Sequence, residues 1–402
     1  MSEIRDVAVV GAGPAGLTLA LSLVHAGRSV VLFETDRALA KEQRGAAFHP
    51  PTMEMLDQLG IAKDILPLGV KVPVWQIRNR QGLIAEFDLS VLGEQTRHPY
   101  RFHLSQHLAS EALLKALQDE DADVRLGHRF VGFSERSDSV LVRFVDATGA
   151  EDELRARYIV GADGAHSEVR KQAGIEFEGF SWPERFLVTN VAYPLESLGF
   201  CGTAYISDPK RWAVVLKLSD GIHKDLWRVA YPTDPEVPSE DVLAPEEVQA
   251  RLREVLPQIS GDIPVVYSNT YRVHQRVASV FHRGRCALAG DAAHINNPIG
   301  GFGLNGGVHD AVNLAQALDE ALQQPCNHAP LERYGRQRRA VAVEYVQAQS
   351  IRNKRQIEEA DDAARAARAV ELRAISSDPQ RSLAYLLDTS MLSSVRRAAE
   401  IA

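Results

Sequence analysis

The first forty residues carry two apolar runs separated by a helical pattern. Ile4–Val10 ends in β-branched and small apolar positions and predicts a buried strand. Leu17, Ala20, Leu21 and Val24 then recur at helical spacing, and Gly27 is a stop signal. Ser29–Phe33 predicts a second buried strand ending in Glu34. Further on, Pro51–Leu59 and Leu108–Leu117 have helical spacing, and Trp75–Leu89 alternates like a hairpin with its turn at Gln81-Gly82. Val140–Val145 and Tyr158–Val160 predict strands. A run of strands follows at Phe186–Pro194, Gly202–Ser207, Trp212–Leu218 and Leu226–Tyr231, with turn signals at Asp208-Pro209 and Asp220-Gly221. The pattern continues with a helix at Pro245–Leu256, a strand near Val265–Val273, a buried strand at Cys286–Ala289 and a long helix from Leu304 to about Leu322. From Leu331 it is helical to the end, broken at Asp378-Pro379. Segment 352–373, rich in Arg, Glu and Ala, predicts a solvated, salt-bridged helix face rather than a partner site, and the Asp361-Asp362 pair falls within it.

These elements describe an α/β nucleotide-binding domain interrupted by a β-rich insert, with a helical C-terminal tail. The nucleotide-binding domain is expected at 1–72, 98–180 and 270–325, the insert at 73–97 and 181–269, and the tail at 326–402. Composition agrees: 45% hydrophobic and 24% charged residues over 402 positions supply an ordinary globular core and exclude whole-chain disorder. A net charge of −8 argues against a nucleic-acid partner. No apolar run reaches the roughly 18 residues of a membrane span. The opening MSEIRDVAVVGAG has no basic-then-apolar leader, so a cytoplasmic location is expected. Cys201, Cys286 and Cys326 are odd in number and fit no zinc spacing, and HExxH, paired CxxC and GxSxG are absent; no metal is expected.

GAGPAG at 11–16 sits between the first strand and the first helix, with an acidic residue, Glu34, 18 positions beyond Gly16. Gly11 allows the tight turn, Gly13 lets a pyrophosphate approach the backbone, and Gly16 lets helix and strand pack closely; Pro14 and Ala15 open the helix. The helix N-terminus offers free N–H groups to the pyrophosphate, and Glu34 can accept from ribose hydroxyls. This motif does not separate FAD from NAD. Two later segments add to it: YIVGADGAHSEVRKQAG at 158–174 and RCALAGDAAH at 285–294.

Together, in this order, the three motifs resemble the fingerprints of the single-component flavoprotein aromatic hydroxylases, the p-hydroxybenzoate hydroxylase family, over about residues 4–325. The resemblance implies a Rossmann-like FAD-binding domain of the GR2 type, interrupted by a β-sheet substrate domain and followed by a helical tail. It also implies FAD as cofactor, NADPH or NADH as reductant, and O2 and a small phenolic aromatic as substrates. Asp291 would hold the ribitol, and Asp163 would serve FAD and the nicotinamide nucleotide. Arg44 and Gln106 match flavin-side positions. The Pro298–Gly303 loop would lie against the flavin, and the helix entry at Gly303, Leu304 and Asn305 would point its N–H groups at the flavin pyrimidine edge. In that family an electrophilic flavin C4a-hydroperoxide attacks an electron-rich ring, which requires a proton acceptor for the phenol and exclusion of water.

WAVVLKL at 212–218, LWRVAYP at 226–232, TYRVHQR at 270–276, ERFLVTNVAY at 184–193, Pro50–Thr52 and RGRCALAGDAAHINNPIGGFGL at 283–304 look more closely like the para-nitrophenol monooxygenases. These use FAD and NADPH to replace a ring nitro group with oxygen, yielding a quinone and nitrite. GIHKD at 221–225 and the tail from about 350 depart from their pattern. Candidate catalytic residues are His49, His103, Tyr205, Trp212 and Pro298; Asn190 and Tyr231 are further ring contacts and His274 a further relay. His294 is expected to brace the GDAAH loop. A homodimer would be consistent with the helical tail. The alternatives are a hydroxylase of a larger polyketide aromatic, a flavin-dependent halogenase and a non-oxygenase flavoprotein. Neither Trp75-Gln76-Ile77 nor Trp227-Arg228-Val229 supplies the halogenase WxWxIP segment, and the GD motif that a non-oxygenase would lose is intact.

Overall fold

The computed structural model describes residues 4–41, 45–223, 225–324 and 327–402. Five parallel strands form the spine of one half: Cys286–Leu288, Glu151–Gly161, Arg5–Val10, Val30–Glu34 and Asp123–Leu126, in that spatial order. Their apolar runs are buried on both faces, as a parallel sheet between helices requires. The helices Pro14–His25, Gln106–Asp119 and Phe302–Gln323 contribute to the same core through Leu17, Leu21, Leu113, Leu314 and Leu318. Arg129–Glu135 and Val140–Val145 add an antiparallel meander to Glu151–Gly161.

This topology explains why three motifs distant in sequence meet. Gly11, Glu34, Ala162-Asp163 and Gly290-Asp291 all lie at the carboxyl ends of neighbouring strands, where ligands bind in open α/β sheets. The turns interlock through Gly11 N–H to Phe33 O (2.7 Å), Ala162 N–H to Val10 O (2.8 Å) and Ala289 N–H to Gly161 O (3.0 Å). At Gly11 the φ of +106° is a glycine conformation, and a Cβ there would stand 2.4 Å from Ala162 O. A Cβ on Gly16 would stand 1.9 Å from Gly11 O, so helix and strand touch only because this position has no side chain.

A second, eight-stranded sheet runs His294–Ile295, Val265–Ala278, Phe177–Ala192, Leu226–Thr233, Ala213–Lys217, Thr203–Ile206, Val74–Asn79 and Gly82–Asp88. The hairpin of Val74–Asn79 and Gly82–Asp88 joins this sheet by parallel pairing of Val74–Asn79 with Thr203–Ile206. Two strands are longer than expected. Phe177–Ala192 and Val265–Ala278 run through the domain boundaries anticipated at 180/181 and 269/270, so the halves share continuous strands.

Alternation fixes the two faces of this sheet. Leu187, Ala213, Val215, Trp227, Val229 and Tyr231 pack on Val248, Leu252 and Val255 of the helix Pro245–Val255. Phe186, Trp212, Val214 and Val273 point the other way, toward Ile299 and Ile357. Tyr231, anticipated as a ring contact, therefore lies on the wrong face: it is core on the side away from the nucleotide domain. A small third sheet of Ala47–Phe48, Arg101–His103 and Val70–Val72, unforeseen in the sequence, links the two halves.

The tail is helical but has more breaks than the one expected. A π-helical turn at Ala342–Gln347 separates Ala329–Val341 from Ala348–Ile357, and Asp362–Ser376, Pro379–Thr389 and Leu392–Glu400 follow. Asp361 and Asp378 are N-caps, accepting from Ala364 N–H and from Gln380 and Arg381 N–H. The solvated-face reading of 352–373 needs correction. Arg365–Asp362 and Arg368–Glu371 are surface pairs, but Leu372 and Ile375 join Leu386 and Leu392 in one core with Trp75 and Phe87 of the hairpin. Lys354 is buried between Glu184 and Glu358, over the rings of Trp182 and Trp212.

Candidate active site

The Gly-rich turn leaves space where a dinucleotide would lie. Gly13 is the N-cap of Pro14–His25, makes no side-chain cap, and has no acidic residue in the turn after it. A Cβ on Gly13 would meet nothing within 4 Å. Ala15, one position into the helix, packs against Gly290, whose own Cβ would stand 2.9 Å from Ala15 Cβ. Glu34 accepts from Ala12 N–H (2.8 Å) and Asp36 N–H (3.1 Å), bracing the turn with lone pairs to spare. Asp163 has a local role: its carboxylate accepts from Ser167 Oγ–H, Glu168 N–H (2.8 Å) and Val169 N–H (3.2 Å) at the start of the helix Glu168–Gln172. Asp291 is exposed in the turn after Cys286–Leu288. Arg44 lies outside the described residues.

The wall expected to face a flavin is built from two segments tied by one side chain. Asn305 Oδ1 accepts from His49 N–H (2.7 Å), while its Nδ2 donates to Ala47 O (2.8 Å) and Gly301 O (2.6 Å). It clamps the 45–49 segment to the loop that leads into the helix Phe302–Gln323. Gln106 supports the same segment: its Oε1 accepts from Gly45 N–H (3.2 Å), and a Cβ on Gly45 would meet both Gln106 and Leu304. The loop is pinned from behind by Gln275, whose Oε1 accepts from Asn297 N–H (3.1 Å) and Asn297 Nδ2 (3.2 Å), leaving Pro298 exposed. The helix Phe302–Gln323 starts at Gly301 with no cap and no acidic first turn. A Cβ on Gly303 would meet only Asn296 Oδ1, at 3.4 Å. Asn296 Oδ1 is itself buried without a donor.

A buried network holds this helix to the GDAAH turn. Asp310 accepts from Arg338 Nε (2.6 Å), His294 Nε2 (2.8 Å) and Gly290 N–H (3.1 Å). His294 thus braces the loop as expected. Burial alone would push the Asp310 carboxyl up, but the charges and hydrogen bonds of Arg338 and His294 together outweigh it and keep its pKa below the usual value.

The candidate histidines are placed differently. His49 Nε2 lies 2.8 Å from Gly300 O, which can only accept, so that nitrogen carries the proton and Nδ1 is a buried acceptor without a partner. Burial, and then the Arg101 charge, hold its pKa well below the ordinary value, and its ring stacks on Phe302 at 5.8 Å. His103 uses both nitrogens in joining the halves: Nδ1 to Lys217 O (2.8 Å), Nε2 to Thr203 Oγ1 (3.3 Å). Burial pushes its pKa down to about 4. His274 is bonded to Ser181 Oγ (2.7 Å) near the surface.

A cavity of ≈ 50 Å³ opens beside the loop, lined by Trp75, Arg101, Tyr205, Gly300, Phe302 and, from the tail, Tyr385 among others. Tyr205 and Tyr385 flank Trp75 at 5.4 and 6.1 Å between ring centroids. Of the expected catalytic set, Tyr205 lines this cavity and His49 lies behind its Gly300–Phe302 wall. Trp212 packs on Phe186 at 4.8 Å, and neither it nor His103 is in the lining. Asn190 accepts from Arg228 Nε (3.1 Å) on the cavity-side face of the sheet. Sequence reasoning missed Arg101 and the tail residues. No group of three or more His, Cys, Asp or Glu among the described residues could hold a metal ion, and no helix among them is long and apolar enough to cross a membrane.

A family model described as an FAD binding domain matches residues 5–349. The chain belongs to this FAD-binding family. Across 98% of its length and 98% of the relative's, it is 36% identical to para-nitrophenol 4-monooxygenase of Pseudomonas sp. (strain WBC-3). It is 31% identical to 6-hydroxy-3-succinoylpyridine 3-monooxygenase HspB of Pseudomonas putida (strain DSM 28022 / S16), covering 89% of this chain and 90% of that one. The crystal structure of p-nitrophenol 4-monooxygenase PnpA from Pseudomonas putida DLL-E4 superposes with a TM-score of 0.92 at 35% identity, covering 99% of both chains. The enzyme is therefore an FAD-dependent monooxygenase of the aromatic hydroxylase type. Its residues fit the cofactor: the open position at Gly13, the two uncapped, non-acidic helix starts and the orphaned Asn296 Oδ1 are what a pyrophosphate and a flavin would complete.

Proposed function

We propose that this enzyme uses NADPH or NADH and O2 to oxygenate a small phenol, and that with para-nitrophenol it displaces the nitro group. The balanced reaction is nitrophenol, O2, NAD(P)H and a proton giving benzoquinone, nitrous acid (nitrite at neutral pH), NAD(P)+ and water. The observation that carries this reading is the aromatic cavity bordered by Gly300 and Phe302 of the flavin-side loop, in a chain that matches a para-nitrophenol 4-monooxygenase end to end.

Bound FAD supplies the redox chemistry that joins reductant, O2 and ring. The chain supplies the rest. Gly11–Gly16 and Glu34 bind the nucleotide portion, and Asp163 and Asp291 are proposed for its sugar hydroxyls. The Phe302 helix start would stabilise negative charge on the flavin pyrimidine edge through Gly303, Leu304 and Asn305 N–H groups, and Gln106 and, from the sequence match alone, Arg44 are proposed as further flavin-side residues. Trp75, Tyr205, Phe302 and Tyr385 sandwich the substrate ring and keep water out. Pro298 shapes the loop edge, and neutral His49 supports that wall from behind through its hydrogen bond to Gly300 O. Trp212 and His103 act at one remove, by packing and by joining the halves.

The test is NAD(P)H oxidation by FAD-loaded protein with para-nitrophenol, hydroquinone, hydroxybenzoates and hydroxypyridines, with product and nitrite analysis. Stimulation with an oxygenated product, and nitrite from nitrophenol, is expected. Absence of stimulation by every single-ring phenol would refute the reading.

A further inference from the structure

The cavity contains a cation without an anion. Arg101 is only 3% exposed, yet it forms no ion pair among the described residues. The one hydrogen bond its side chain makes among them is from Nη2 to Thr389 O, at a long 3.5 Å, and Nε is buried with no partner. Its guanidinium lies 4.8 Å over the Trp75 ring. The cavity's other arginine, Arg368, is neutralised by Glu371 at 2.6 Å and bonded to Gln356. A guanidinium withdrawn from water is stable when acceptors or an anion replace its hydration, and Arg101 has neither in full. The missing group is therefore something that enters the cavity.

We propose that Arg101 is the anion-binding residue of this cavity and receives the substrate as a phenolate, with the ring held between Trp75, Tyr205 and Tyr385. This rests on the proposed phenol oxygenation and adds to it the residue that selects the ionised form. The planar N–H fork of arginine suits an oxyanion, and the aromatic walls suit the ring that bears it. The phenolic O–H bond breaks, its electron pair stays on oxygen opposite Arg101, and the proton leaves to water. A phenolate is more electron-rich than a phenol, so the same contact that binds the substrate also activates it.

No other described group in or near the cavity competes for the role. His49 is kept neutral by burial and by Arg101 itself, His103 has both nitrogens engaged, and burial pushes the Tyr385 hydroxyl up to about 12. Tyr205 brings no fixed charge, and Arg368 is paired.

The experiment reads the visible absorption of para-nitrophenol bound to the FAD-loaded enzyme, without NAD(P)H, as a function of pH. Wild-type protein should hold the bound ligand with its ionisation shifted about tenfold toward phenolate relative to free ligand. It should bind nitrophenol about 10- to 100-fold more tightly than its methyl ether, the range expected for one hydrogen-bonded charge contact. Arg101→Met should abolish both effects, and Arg101→Lys should restore part of the ionisation shift. If Arg101→Met fails to fold, the methyl-ether comparison and Arg101→Lys decide. Wild-type protein that binds the ether as well as the phenol, or binds no phenolate, overturns the proposal. So does Arg101-dependent binding of para-nitrobenzoate alongside an unshifted nitrophenol, which would make the anion a ring carboxylate. A persistent shift without phenol-stimulated NAD(P)H oxidation would sink the oxygenation reading and leave Arg101 as a phenolate site; turnover with no shift would do the reverse.

Discussion

Gly13 and Gly16 separate cofactor binding from folding within a single turn. Gly13 has φ −74° and ψ 175°, a conformation open to any residue, and a Cβ there touches no protein atom within 4 Å. Gly13→Ala should therefore fold with a stability change within about 1 kcal/mol, the N-cap preference for glycine being offset by lower unfolded-state entropy. Its methyl group would occupy the space in which the pyrophosphate meets the backbone. Losing two hydrogen bonds to a charged group, at ~1.5–3 kcal/mol each, amounts to ~3–6 kcal/mol and weakens FAD binding roughly 10²- to 10⁴-fold. Gly16→Ala drives its Cβ to 1.9 Å from Gly11 O, a backbone atom that cannot rotate away, so that variant should lose soluble folded protein. The assay is flavin titration of apo-protein by fluorescence, with thermal unfolding of the same samples. Wild-type FAD affinity in Gly13→Ala would refute this assignment, as would apo-protein melting as low as any Gly16→Ala that can be recovered.

Three further outcomes follow from burial and pairing. His103 titrates at about 4 in the native state and near 6.5 unfolded, so the unfolded chain binds the proton first and stability is lost as pH falls through that window. At pH 5 this group alone costs about 2 kcal/mol, and urea unfolding of His103→Gln should show an acid loss smaller by that amount. Asp310→Ala strands the buried Arg338 and should destabilise by about 3–5 kcal/mol in denaturant titration, with FAD retention reduced because Gly290 N–H also loses its acceptor. Leu386→Ala opens the core between the tail and the hairpin and should cost about 2–5 kcal/mol. It should weaken phenol binding through Tyr385 while leaving FAD affinity unchanged; equal loss of both ligands would contradict the tail's place in the cavity.

The nucleotide half was legible because its demands are local. Gly11 needs a positive φ, Gly16 needs close approach, and Glu34 closes the next strand, so each leaves a residue type at a fixed spacing. The strands of the insert were legible from alternation, but alternation does not say which face meets the flavin domain. Tyr205 and Tyr231 have equal claims in sequence, and only the packing of Pro245–Val255 sends Tyr231 away from the site. Asn305 was picked out for its place at a helix start, whereas its side chain ties two segments whose meeting no local pattern records. Arg101 carries one faint signal, an arginine between Tyr100 and Phe102 in a short strand, but its burial depends on Trp75 and on a tail residue 288 positions away. The tail's surface ion pairs were visible as charge patterning. Its contribution to the cavity was not, because Leu372 and Leu386 find their partners in a distant hairpin.

The central claim is that an oxygen atom from O2 reaches an aromatic ring in this cavity. Turnover of para-nitrophenol and hydroquinone under isotopically heavy dioxygen, with mass analysis of the products, tests it most directly. One heavy oxygen in the ring product, with NAD(P)H consumed and nitrite released from nitrophenol, is the predicted result. Heavy hydrogen peroxide as the sole oxygenated product across the phenol panel would contradict it.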